Sequence, residues 1–365
     1  MDAVKLVAFI SSPLQALNLV EYSERVSRQV DLVVMGGGSV LEPDIRTQIE
    51  AVLAPASPRK IIYSRWLLSL WSPIGARRAV SSAVTTLRKY LCAGPYEFVI
   101  GEYRSDFSWA VLHRLETSVR SVVVVDDGTA TLRINRCQPL MRSRGQWRQK
   151  IKGLLFPILG IRGVVPPTGL TFFTMFSIDD RIAIGDSIMH NDFRTLSAEL
   201  RDLAPDDEFV YVIGGPHGEA MSGLFDAGEV VNVDVELALE LTRFAADYTG
   251  KEVVYVAHRR EQSEKLEILG HEVTVVTPNV PFEIYPRVIG KRPRTIVSYY
   301  SSVLVTAAEL LGDSVEIIAL RIPRDRVNDS WTAFVDSVYL YYEAELDSLI
   351  RVVERPGSSP HHEIR

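Results

Sequence analysis

Residues 122–132 read VVVVDDGTATL, four valines followed by Asp126, Asp127 and Gly128. A β-branched run without polar interruption predicts a strand buried on both faces, the pattern of a parallel sheet covered by helices. In open α/β sheets, ligands gather at the carboxyl ends of the strands, which is where the two carboxylates fall. The glycine permits a tight turn, and neighbouring carboxylates raise each other's pKa, which suits one of them to general-base work near neutral pH. An ordinary Asp/Gly-rich turn closing a strand accounts for the same residues, so the rest of the chain has to decide.

Outward from that strand the first half alternates strands and helices. VKLVAFI at 4–10 predicts a strand, Ser12-Pro13 a helix start, and 14–26 a helix. DLVVM at 31–35, KIIY at 60–63 and YEFVIG at 96–101 predict further strands, with helices over 42–54, 76–91 and 106–117. This spacing is that of a right-handed parallel α/β sheet. The loops after residues 10, 101 and 125 then share one sheet edge, where Glu102, Arg104, Asp126 and Asp127 are expected to meet.

From Thr129 to Ile178 there is no Asp or Glu, while Arg133, Arg136, Arg142, Arg144, Arg148, Lys150, Lys152 and Arg162 occur in that span. WLLSLW at 66–71 is likewise flanked by Arg65, Arg77 and Arg78. Basic residues beside aromatic and aliphatic ones suit an anionic membrane surface, although a solvated basic face has the same composition.

The second half opens on FVYVIGGP at 209–216, a strand closed by Gly214-Gly215. A helix over 234–249 leads to the strand EVVYVA at 252–257, which ends at His258. After a helix at 260–269 and a strand at 272–276 comes the Pro-fixed turn Pro281-Phe282-Glu283. The strand RTIVS at 294–298 runs into Ser301-Ser302, where a helix over 302–312 begins; free amides and the helix dipole make such a start favourable for anions. VEIIAL at 315–320 is the last predicted strand, and 329–353 reads as one long helix.

With 365 residues, two domains are expected, divided near 180–205: an N-terminal α/β domain over 1–190, a second over 205–328, a helix over 329–354, and a tail over 355–365. Apolar residues make up 47% and charged ones 24%, as in a globular protein, and a net charge of -6 argues against nucleic acid as a partner. Cys92 and Cys137 have no metal-like spacing and fit a reducing, cytoplasmic setting. No run of about 18 apolar residues predicts a transmembrane helix, and the start, MDAVKLVAFISS, lacks the features of a signal peptide.

Taken together, an acidic pair with glycine, then a histidine, a Pro-Phe-Glu turn and a double serine, each at a strand end, resemble the bacterial sialyltransferases of GT-B fold, including the polysialyltransferases and lipooligosaccharide sialyltransferases. Asp126-Asp127-Gly128, His258 and Ser301-Ser302 match in type, order and approximate spacing. Ser12-Pro13-Leu14-Gln15 and Gly101-Glu102-Tyr103-Arg104-Ser105 are similar to first-domain motifs of the polysialyltransferase group. Arg259 departs from the pattern, standing where the family usually has proline.

The resemblance implies two Rossmann-like domains facing a central cleft, with the 329–354 helix packing back on the N-terminal domain, and inverting transfer of a sialic acid or related nonulosonic acid from a CMP donor to a glycan or glycolipid acceptor. One of Asp126 and Asp127, with Asp127 preferred, would be the base, and His258 would serve the departing phosphate. Ser301 and Ser302 would hold that phosphate and Glu283 the ribose, with Gly214 and Gly215 on the donor side; Ser12, Gln15 and Arg104 are placed on the acceptor or sugar side. Neither a metal nor another cofactor is expected. The setting would be bacterial surface-polysaccharide synthesis at the inner face of the membrane. Alternatives are another GT-B transferase using CMP-Kdo or a UDP-sugar, and a non-catalytic nucleotide-sugar-binding subunit.

Overall fold

A computed structural model describes residues 4–36, 43–64, 73–91, 95–136, 166–221 and 223–354. WLLSLW at 66–71, both cysteines, the basic span beyond Arg136 as far as Arg162, and the tail from residue 355 lie outside the described residues. The chain divides into two compact units, Met1–Asn191 and Asp192–Arg365.

In the first unit the apolar runs become the strands of a seven-stranded, all-parallel sheet in the order β3-β2-β1-β4-β5-β6-β7. These are β1 (Lys5–Ile10), β2 (Val30–Gly36), β3 (Lys60–Ser64), β4 (Tyr96–Ile100), β5 (Val119–Val125), β6 (Thr171–Thr174) and β7 (Ser187–His190). Val122 to Val125 are all buried, as a strand covered on both faces requires. The order reverses between β1 and β4, so the loops after β1, β4 and β5 surround a topological switch point.

Among the described residues the connecting α-helices are α1 (Pro13–Arg25), α2 (Pro43–Leu53), α3 (Pro73–Tyr90) and α4 (Asp106–Arg114). In α1, Ser12 caps the start by accepting from the Gln15 amide, and Pro13 sits in the first turn, where a missing N–H costs nothing. Its buried face carries Gln15, Asn18 and Glu21 beside Leu17 and Val20. Buried polar groups need partners, and those of Gln15 and Asn18 lie at the switch point.

The second unit holds a six-stranded parallel sheet in the order β11-β10-β9-β13-β14-β15, plus a two-stranded ladder of β8 and β12. Its strands are β8 (Ala204–Asp206), β9 (Phe209–Ile213), β10 (Glu252–Val256), β11 (Thr274–Val276), β12 (Lys291–Pro293), β13 (Thr295–Ser298), β14 (Glu316–Leu320) and β15 (Ile350–Val353). Here the switch point lies between β9 and β13. Its longer helices are α5 (Arg194–Arg201), α6 (Ala227–Thr249), α7 (Ser263–Leu269), α8 (Ser302–Leu311) and α9 (Asp329–Glu345), with short helical turns at Gly218–Met221 and Tyr285–Ile289.

Two sequence expectations need correcting here. The helix predicted over 234–249 begins earlier, at Ala227, where the Glu229 carboxylate returns to the Asp226 amide. The predicted helix over 329–353 is two elements: α9 ends at Glu345, and Ile350–Val353 form β15 beside β14. Within its own unit, α9 anchors to the sheet through Tyr339, whose hydroxyl donates to Leu320 O and accepts from Ile322 N, and through Tyr342, which donates to Ser301 O.

Candidate functional site

At the first switch point the adjacent carboxylates have different environments. Asp126 is 1% exposed and fully engaged: the Thr174 hydroxyl donates to Oδ1 at 2.6 Å and the Met175 amide to Oδ2 at 2.8 Å. The Asn18 amide donates to Asp126 O, and Asn191 in turn donates to Asn18. Burial pushes the Asp126 pKa up to about 6, opposed by the bonds from Thr174, Met175 and Thr131 and by nearby His190. This is the geometry of a post that fixes the turn.

Asp127 is only half-buried. The turn after it is tight, with Gly128 at φ 64, in the left-handed region that glycine enters without steric cost. Gln15 Nε2 donates to Asp127 Oδ1 at 2.7 Å, and the other end of the same amide accepts from Ser11 N at 2.6 Å. Because the Ser11 bond fixes which end is oxygen, the NH2 group must face Asp127. Gly101 makes room for this arrangement: a Cβ there would lie 2.2 Å from Gln15 Oε1. Gln15 is 0% exposed and Ser12 is buried as a helix cap, so these two, expected to touch acceptor or sugar, support the turn from within instead.

Glu102 and Arg104 reach the same edge. Glu102 belongs to an exposed residue surface, yet its pKa is raised by local withdrawal from water and by the charge of Asp127, with Arg104 opposing. Arg104 is exposed, and its charge also acts on Arg133, which the motif reading did not select.

At the second switch point the chemistry is imidazole and hydroxyl. His258 follows β10 and keeps part of its surface. Its Nδ1 accepts from Arg260 N at 3.1 Å, so the neutral ring carries its proton on Nε2. Burial of most of the ring, together with the cations Arg259, Arg260 and Lys265, pushes its pKa down to about 3. A neutral ring of this tautomer presents an N–H at Nε2 that can donate to a ligand.

A buried cluster that the motifs did not reveal holds this turn. Glu261 N donates to His258 O, and His258 N donates to Glu261 Oε2 at 2.5 Å. Tyr255 donates to Glu261 Oε1 at 2.6 Å, and Lys265, 1% exposed, bridges Glu261 at 2.5 Å and Asp234 at 2.9 Å. The glycines of the β9 loop owe their identity to the same packing. A Cβ on Gly214 would meet Glu261 Oε2 at 2.4 Å, and one on Gly215 would meet the His217 ring at 2.8 Å.

Ser301 caps α8 by accepting from Val303 N, and Ser302 opens the helix; both are half-buried. Glu283 is buried against the same helix start, where Thr306 donates to it at 3.1 Å. Burial raises its pKa, against the pull of its own backbone amide, Thr306 and Arg259. The side chain of Arg259, where the sialyltransferase pattern has proline, thus acts electrostatically on Glu283. Among the described residues, no group of three or more His, Cys, Asp or Glu is placed to hold a metal ion.

No protein-family model matches the chain. Over 139 residues, 38% of its length, it is 25% identical to translation initiation factor IF-2 of Salinibacter ruber, and the match spans 13% of that protein. That likeness shows no family. Among solved structures, LpCGTa in complex with UDP aligns over 98% of this chain and 87% of its own, with a TM-score of 0.51 and 14% identity. The likeness is one of fold: the chain has a GT-B-like architecture of two Rossmann-like α/β units.

Proposed function

We propose that the chain is a glycosyltransferase that moves a nonulosonic acid, such as sialic acid, from a CMP-activated donor to a glycan acceptor with inversion. The observation that carries this reading is the opposite chemistry of the two switch points: a half-buried, amide-oriented carboxylate in one unit, and a neutral Nε2–H imidazole with a serine-capped helix start in the other. In this reading the first unit activates the acceptor and the second binds the donor. The acceptor oxygen attacks the anomeric carbon while its proton passes to Asp127. The bond from that carbon to the CMP phosphate oxygen breaks, and both electrons leave with the phosphate. Negative charge then grows where His258 and the first amides of α8 can stabilise it. Asp126 positions Asp127 and does not itself meet substrate.

A second donor class, UDP-sugars, has one observation in its favour, the similarity of fold to a protein solved with UDP. The two separate by which nucleotide is released. Incubation with CMP-nonulosonates and UDP-sugars in the presence of glycan acceptors should liberate CMP and leave the UDP-sugars intact. Release of UDP alone would transfer the reading to the second class.

The same reading places the protein on the inner face of the membrane. The 18-residue α3 contains no acid and exposes Arg77, Arg78, Arg88 and Lys89, which suits anionic lipid. No helix among the described residues is long and apolar enough to cross a membrane. Binding to anionic liposomes at low salt, lost as salt rises, is the expected result; indifference to such liposomes would remove the membrane partner.

A further inference from the structure

His217 plays no part in the mechanism above, and its surroundings are unusual for a histidine. It lies in the loop after β9, at the second switch point, and is 5% exposed. Its ring packs edge-on against Tyr299 at 5.2 Å and an interplanar angle of 89°, and against Tyr300 at 5.5 Å. Gly215 closes over it so tightly that a Cβ would fall 3.0 Å from Nε2. Its backbone is bonded to Gly215 and Ala220, yet no described residue hydrogen-bonds either ring nitrogen. Neither nitrogen is sealed off completely, since no fully buried polar side-chain atom among the described residues lacks a partner.

Ring nitrogens that bond no protein group and keep some access to solvent are available to a ligand. Packing alone would be served as well by phenylalanine. The ring is packed against Tyr299 and Tyr300, the residues that lead directly into Ser301-Ser302 and the start of α8. Burial, with help from Lys265 and His258, also keeps it uncharged in the free protein. Lys265 is locked between Glu261 and Asp234 and cannot serve a ligand itself.

We infer that His217 is a second imidazole ligand for the phosphate of the nucleotide donor, completing with His258 and the α8 amides the anion site of the second unit. This rests on the donor-binding role proposed above and adds a recognition residue to it. His258 would face the oxygen that departs, and His217 would hold the phosphate before and after the bond breaks. Loss of His217 should therefore weaken nucleotide binding itself.

The test is titration of the full chain with CMP and UDP, using cytidine and uridine as phosphate-free controls, followed by the 15N signals of the His217 ring and by calorimetry. The His217 signals should shift with nucleotide and stay put with nucleoside. A hydrogen bond to a charged group is worth about tenfold or more in affinity. His217→Phe, which keeps the ring packing, should lose that much for nucleotide and nothing for nucleoside, and His217→Gln should recover part of it. Unchanged ring signals, with equal nucleotide affinity in wild type and His217→Phe, would overturn the inference while the donor reading stands. A wild-type protein that binds neither nucleotide would overturn both.

Discussion

The two switch points handle buried ionisable groups in opposite ways. In the first unit, burial raises an acid: Asp126 lies beneath the turn with its pKa pushed up to about 6, and a neighbour of identical chemistry, Asp127, is left half-buried and oriented by an amide. In the second, burial lowers bases: His258 is pushed down to about 3, and His217 well below its ordinary value. The first turn is held by neutral donors, Thr174, Asn18 and Gln15, whereas the second is held by a buried ion cluster of Lys265, Glu261 and Asp234. One residue type thus has two environments within a single dipeptide, Asp126 buried and Asp127 half-buried.

The largest expected effect of breaking this contrast is on turnover. Asp127→Asn should lower turnover by about 100- to 10,000-fold, the range for a positioned base, and leave nucleotide affinity nearly unchanged. Asp126→Asn should keep most of its activity, because an amide can still accept from Met175 N and donate to the Thr174 hydroxyl. Steady-state rates of the two variants, measured side by side, decide between them. An inactive Asp126→Asn beside an active Asp127→Asn would reverse the assignment.

Next in size is a loss of stability in the second unit. Lys265→Met leaves Glu261 and Asp234 buried without their cation, which typically costs about 3–5 kcal/mol. An exposed pair such as Arg46–Glu50 gives a reference, since water screens it and breaking it should cost far less. Denaturant melts of Lys265→Met and Arg46→Ala should differ accordingly; similar losses would mean that the buried cluster is not what holds the His258 turn.

The pH response should have opposite signs at Asp126 and at His258. Between its unfolded value near 3.8 and its folded value of about 6, Asp126 keeps a proton that the unfolded chain has released. Its site therefore loses stability as pH rises through that window, by roughly 3 kcal/mol at one pKa unit per 1.36 kcal/mol. His258 behaves in reverse. Its folded pKa is depressed, so the unfolded chain binds the proton first, and stability falls as pH drops from about 6.5 toward 3. Hydrogen exchange at pH 4.5 and 7, followed separately in the two sheets, should show the Asp126 turn better protected in acid and the His258 turn worse. Asp126→Asn should flatten the first trend alone.

The large apolar strands were legible in the sequence because burial on both faces leaves an uninterrupted signature; Val122–Val125 and Phe209–Ile213 are examples. Ser187–His190 and the Pro-containing ladder strands Ala204–Asp206 and Lys291–Pro293 carry no such run. Ile350–Val353 continued the apolar spacing of α9 and therefore read as helix. The strand-end motifs were visible, but what supports them was not. Lys265 in SEKLEIL has the pattern of a solvated helix face, and the motif resemblance placed Gln15 on the acceptor or sugar side. Their burial depends on partners distant in the chain, Asp234 and Asp127, which no local pattern encodes. The smallest expected effect follows from the Gln15 contact: Gln15→Glu would set a second carboxylate against Asp127. The acid limb of the kcat/KM profile should then move upward by on the order of one pH unit; an unmoved limb would make Gln15 mere packing.

The division of labour between the two turns is tested most directly by an artificial donor whose leaving group is better than CMP. If the second unit assists departure and the first removes the acceptor proton, this donor should restore much of the rate of His258→Ala and leave Asp127→Asn impaired. Equal rescue of both variants, or of neither, would contradict the account.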